Sequence, residues 1–278
     1  MSTSAVAGWA QREAAFLPNP TRMMKTKQIY QMIQRDERLP GGRQIELTFR
    51  TGEAPIPALL LLPDAALPAP GAVLLHGYSS RKEHMAGPVG GALLAQGIAS
   101  LAVALPLHGT RVDPVQAQAS RNPLEVVRLW RAALAEARLA IRYLGARAEV
   151  DAGKIGIVGY SLGSFLSVIV AADEPSVRAV VLAAGGDLPA GTPFAAVARA
   201  VADPLRAVRK LRGRPLLMVN GRNDRTMRPE QAELLFAAAG EPKELRWWDA
   251  GHYLPPTASD DAARWLRKRL DDPASSRA

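Results

Sequence analysis

The chain has 278 residues, 48% hydrophobic and 22% charged, with no cysteine and a formal net charge of +9. That length and composition suit one sizeable core, and the absence of cysteine excludes disulfides, thiolate catalysis and cysteine-held metals. No apolar run reaches the ~18 residues of a membrane span, so an integral membrane protein is not expected. The positive charge does not single out nucleic acid either. Basic residues are interspersed with alanine, leucine and acids, and their densest run, residues 264–269, falls where a terminal helix should end. There cations oppose the negative end of the macrodipole. Residues 1–18 carry neither a basic n-region nor an apolar h-region, which leads us to expect a cytoplasmic protein. The four histidines, His76, His84, His108 and His252, show no metal-ligand spacing. A catalytic zinc is not expected.

In chain order, Asn19-Pro20 supplies an N-cap and a first-turn proline. Residues 21–38, carrying Met24, Ile29, Met32 and Ile33, predict a helix stopped by Leu39-Pro40-Gly41-Gly42. Residues 1–42 are therefore read as a helical extension and 43–278 as the main domain. Residues 44–49 alternate like a half-buried strand, with 56–62 as its partner. Residues 72–76 and 97–105 are short apolar runs flanking a helical stretch at 89–96. Asn122-Pro123 opens a long helix with Val127, Trp130, Leu134, Ala137, Ile141 and Leu144 on one face. Strands are predicted over 154–159, 178–184, 215–220 and 243–248, and helices over 162–172, over 230–239 and from about 259. Apolar strands alternating with helices imply a parallel sheet covered on both faces, of about eight strands, with an antiparallel edge from the first pair.

Four loops that follow predicted strands carry chemistry. Gly159-Tyr160-Ser161-Leu162-Gly163 stands between an apolar strand and an apolar helix, the context a nucleophile elbow requires. Ser161 is the expected nucleophile, at a helix N-terminus whose dipole favours developing negative charge. His76-Gly77-Tyr78-Ser79-Ser80 follows an earlier strand, and the backbone N–H groups of Tyr78 and Leu162 are the expected oxyanion donors. Serine needs an adjacent base, and a carboxylate on the far nitrogen of imidazole fixes its tautomer. Gly221-Arg222-Asn223-Asp224 and Ala250-Gly251-His252-Tyr253 provide Asp224 and His252 in that order. Asp187 and Asp249 are the other candidate acids, although Asp249 is too near His252 in sequence to reach round the ring easily.

The segments HGYSS, GYSLGS, GRNDRTM and AGHY resemble the α/β-hydrolase superfamily over about residues 43–270, closest to its esterase, dienelactone-hydrolase-like and prolyl-oligopeptidase-like branches. The resemblance implies an α/β-hydrolase fold with an eight-stranded, mostly parallel sheet, a Ser-His-Asp triad and no cofactor. Two positions depart from the pattern. Ala104-Leu105-Pro106-Leu107-His108-Gly109 lacks the acid often found before the P-x-H-G segment, and Ser164 stands where glycine is frequent. His108 is read as structural, lining or bracing the pocket, and not as catalytic. Residues 185–214 leave room for a helix or two as a small cap, with Phe194, Val197 and Val201 packing it or facing the pocket. The expected activity is hydrolysis of a small carboxylic ester with a short acyl chain. Thioester or small-peptide hydrolysis uses the same groups, and a noncatalytic binding module is the reading from another class. Ser161 in place of a carboxylate disfavours haloalkane dehalogenation.

Overall fold

The computed structural model describes residues 29–50, 55–65, 67–106, 108, 111, 123–188, 196, 199–200, 202–211 and 213–272. Its strands are β1 (Tyr30–Leu39), β2 (Gly42–Arg50), β3 (Ile56–Pro63), β4 (Ala69–Leu75), β5 (Ala99–Val103), β6 (Val150–Tyr160), β7 (Val177–Ala183), β8 (Leu216–Gly221) and β9 (Lys243–Trp248). These nine form one sheet in the order β1-β2-β3-β5-β4-β6-β7-β8-β9. The first three strands and the β3–β5 pair run antiparallel, and every pair from β5 to β9 is parallel. This is the α/β-hydrolase architecture, with one strand more than the sequence predicts.

The central strands are apolar throughout because helices cover both faces. Along β4, Val73 and Leu75 enter one core with α3 (Pro123–Gly145), α4 (Leu162–Asp173), α5 (Pro204–Arg209) and α6 (Pro229–Ala238). Ala72 and Leu74 enter the other core. It is completed by α1 (Lys82–Met85), which continues through a π-helical turn into α2 (Gly91–Ala95), and by α7 (Pro256–Asp271). Each fully buried leucine or valine in these layers contributes about 1.5–3 kcal/mol, so the sheet is a rigid platform for the loops at its edge.

The additional strand corrects the sequence reading. Residues 30–39 are not helical; they are β1, paired with β2 from Tyr30↔Arg50 to Leu39↔Gly42 around a Pro40-Gly41 turn, with Gly41 at φ +79°. Proline followed by a positive-φ glycine is the order of a type II turn, which reverses the chain where a helix stop was expected. Residues 30–42 therefore belong to the sheet and not to a separate helical extension. The earlier part of that expected helix lies outside the described residues, as do Phe194, Val197 and Val201 of the cap. In the cap, α5 is opened by Asp203, whose carboxylate accepts the Leu205 N–H at 3.0 Å. Among the described residues, no helix is long and apolar enough to cross a membrane.

Strand order changes direction at β4: β5 lies on one side of it and β6 on the other. Crevices beyond the carboxyl ends of strands at such a switch point are where α/β sheets bind ligands. Register carries the effect outward. Leu75 pairs with Gly159, Tyr160 with Ala183, Ala183 with Val219 and Gly221 with Trp248. The loops after β4, β6, β8 and β9 consequently emerge along one rim.

Candidate active site

Ser161 occupies the one-residue turn between β6 and α4 with φ 52° and ψ −114°. A serine at positive φ is strained, at a cost on the order of 1–3 kcal/mol. The fold holds it there through the Ser161 N–H donating to Ala183 O at 2.9 Å and through the Ser161 carbonyl, which accepts from the Ser164 hydroxyl at 2.6 Å. The two glycines of the pentapeptide are needed for space. A Cβ on Gly159 would sit 2.1 Å from Gly163 O, and one on Gly163 would sit 2.0 Å from Leu75 O. Ser164, which departs from the superfamily pattern, is thus a brace of the elbow.

The structure brings Ser161, His252 and Asp224 together. His252 Nε2 lies 3.1 Å from Ser161 Oγ, and its Nδ1 lies 2.8 Å from Asp224 Oδ2. The Asp224 side chain is fully buried. Its other oxygen accepts the Thr226 and Met227 N–H groups at 2.8 and 2.9 Å, which locks the carboxylate against rotation. The two competing acids go elsewhere. Asp187 forms a bidentate ion pair with Arg199 at 2.7 and 2.9 Å, and Asp249 accepts from Asn223 Nδ2 at 2.8 Å.

The turn after β4 packs directly against the serine. A Cβ on Gly77 would lie 3.3 Å from Ser161 Cβ. His76, fully buried beneath this turn, receives the Leu105 N–H on Nε2 at 3.1 Å, so its proton is on Nδ1, which donates to Gly77 O at 2.8 Å. His108 packs edge-on to His76 and to Tyr78, with centroids 5.0 and 5.6 Å apart, and so braces the turn.

Sequence reasoning assigned no role to His76 or Tyr160. The Tyr160 hydroxyl donates to His252 O at 2.5 Å and accepts the Leu254 N–H at 3.0 Å. A polar residue ending a buried strand was the available signal for His76. Tyr160 gave none, because its partners lie at the far end of the chain. Among the described residues, no group of three acidic, histidine or cysteine side chains is placed to hold a metal ion.

Burial lowers the His76 pKa from 6.5 to about 4, against a smaller opposing effect of the Gly77 carbonyl. The unfolded chain takes up this proton near pH 6.5 and the folded chain only near 4. The stability involved is therefore fully present above pH 6.5 and is lost as pH falls towards 4, by about 3 kcal/mol at most. Denaturant unfolding of the wild type between pH 4 and 7 should show this slope, and His76→Gln should flatten it. Equal slopes in the two proteins would assign the acid loss to other groups.

The sequence profile of the dienelactone hydrolase family matches residues 56–260, which include the elbow, Asp224 and His252. The chain belongs to the dienelactone hydrolase family. A search of the curated proteins gave no match. Several solved structures share its fold. An acetyl xylan esterase from Paenibacillus sp. R4 superposes with a TM-score of 0.70 at 17% identity, covering 88% of this chain and 90% of that one. Acetyl xylan esterase 1 from Thermoanaerobacterium sp. JW/SL YS485 gives 0.69 at 17%, covering 89% of each. A cold-adapted esterase from an Arctic intertidal metagenomic library gives 0.68 at 19%, covering 86% and 98%.

Proposed function

We propose that the protein is a serine esterase acting on small carboxylic esters with short acyl chains. The observation that carries this reading is the hydrogen-bonded line from Ser161 Oγ through His252 to Asp224, at 3.1 and 2.8 Å. Ser161 Oγ attacks the ester carbonyl carbon while His252 Nε2 takes its proton. The tetrahedral intermediate collapses as the C–O bond to the alcohol breaks, and His252 returns the proton to the leaving oxygen. Water then attacks the acyl-enzyme with the same base, releasing the acid and Ser161. Asp224 holds the Nδ1 proton in place throughout.

Two backbone donors are assigned to the oxyanion. Leu162 is the first residue of α4, so its N–H has no helical carbonyl to meet. Tyr78 N–H shares a peptide unit with Gly77 O, which His76 holds from below. A trans peptide points its N–H opposite its C=O, so this bond turns the Tyr78 donor away from His76. The position of Gly77 against Ser161 supports the same assignment.

The short-acyl preference rests on the cap, residues 185–214, which is too short to build a long apolar tunnel. Each methylene buried in such a tunnel contributes about 0.8 kcal/mol, so a shallow pocket stops rewarding chain length early. Residues 30–39 are a strand at the sheet edge opposite β9 and not the helix that could have folded over the site. The test is kcat/KM for p-nitrophenyl esters from C2 to C16, with an expected maximum between about C2 and C6. A maximum at C10 or beyond would overturn the short-acyl assignment, and no turnover of any ester would overturn the esterase reading.

A further inference from the structure

His252 rides on a loop with very little to hold it. Between β9 and α7, residues 251–254 form no helix or strand, and Pro255 and Pro256 that follow bring no N–H. Tyr253 in the middle of this stretch is 87% exposed. Among the described residues, the main chain of 251–254 has one hydrogen-bond partner, the Tyr160 hydroxyl, which contacts it on both sides of Tyr253. Tyr160 directly precedes Ser161, and its partly buried ring lies edge-on to the His252 imidazole, centroids 6.1 Å apart. Burial pushes the phenol pKa up, so the hydroxyl keeps the proton it donates to the His252 carbonyl.

Resting on the serine-esterase reading above, we propose that Tyr160 is a positioning residue whose hydroxyl clamps the His252 loop to the nucleophile elbow and sets the reach between His252 and Ser161. The geometry suits that role. The ring is rigid, its base moves with the elbow, and its tip holds the two peptide groups that flank Tyr253. Asp224 fixes the far nitrogen of the imidazole, but one hydrogen bond leaves the ring free to swing about it. The clamp removes that freedom. Proton transfer depends on such positioning, and a displacement of about 1 Å costs up to roughly 100-fold in rate.

The test is Tyr160→Phe, which keeps the ring and removes only the hydroxyl. The freed His252 carbonyl and Leu254 N–H lie in a partly exposed loop where water replaces the lost partner, so the fold persists. Expected are a fall in kcat of roughly 10- to 100-fold, KM within about twofold, and a Tm within a few degrees of wild type. The rate of covalent inactivation by a fluorophosphonate, which reports activation of the serine without an ester-binding pocket, should fall by the same factor. A Tm drop with unchanged kcat and inactivation rate would make Tyr160 purely structural and overturn the clamp. So would a rise in KM alone. If the probe labels wild type and Tyr160→Phe at one rate, the clamp fails while the esterase reading survives. If it leaves the wild type unlabelled, both fail.

Discussion

Ser161→Ala is expected to lower kcat on any ester substrate by roughly six orders of magnitude and to abolish fluorophosphonate labelling. The side-chain oxygen makes one hydrogen bond, to His252, so its removal leaves the elbow intact. The features that build the turn are main-chain bonds, the Ser164 hydroxyl and the tight approach of Gly159 and Gly163, none of which involves the Ser161 hydroxyl. Stability should therefore change little, and the loss can be read as chemistry. A residual rate of about 10³–10⁴ over water would persist from the oxyanion donors and substrate binding. Labelling or turnover at wild-type level in the alanine variant would remove Ser161 from the mechanism.

Asp224→Asn should cost about four orders of magnitude in kcat, as the equivalent change does in the best-studied triad. The cause is legible in the hydrogen bonds. The introduced side-chain amide would keep its oxygen on the Thr226 and Met227 N–H groups, because both are donors. Its NH₂ would then face His252 Nδ1 and force the imidazole proton to Nε2, where it points at Ser161 and blocks deprotonation. Asp187→Asn breaks the ion pair with Arg199, and Asp249→Asn disturbs one hydrogen bond from Asn223. Both should leave kcat within a few-fold of wild type. Steady-state kinetics on the three variants decides the assignment: if Asp249→Asn is crippling and Asp224→Asn nearly silent, the acid is misplaced.

Legibility in the sequence followed from how locally each feature is specified. The buried strands and the long helix α3 were readable because burial on one or both faces writes a continuous or periodic apolar pattern. Residues 30–39 were misread for the converse reason. β1 is an edge strand with nearly all its side chains exposed, Met32 and Ile33 included, so no buried face imposes a period of two. The accidental spacing of Met24, Ile29, Met32 and Ile33 then looked helical. What makes these residues a strand is their ladder to β2, a partner that propensity does not include.

The site divides in the same way. Residues 159–163 determined a strand-to-helix turn with a serine at its apex, since only glycine fits beside Gly163 O and Leu75 O at its two ends. Sequence order also nominated a carboxylate after Ser161 and then His252. It ranked Asp224 ahead of Asp187 and Asp249 but did not place that carboxylate against the imidazole, and it assigned nothing to Tyr160 or His76. Those decisions belong to the parallel register of β4, β6, β7, β8 and β9, which aligns loops distant in sequence along one rim to within hydrogen-bond reach. Local sterics and apolar periodicity act between neighbours in the chain, so the sequence carries them directly. Distances between loops are set by how whole strands pair, and only the folded sheet specifies them.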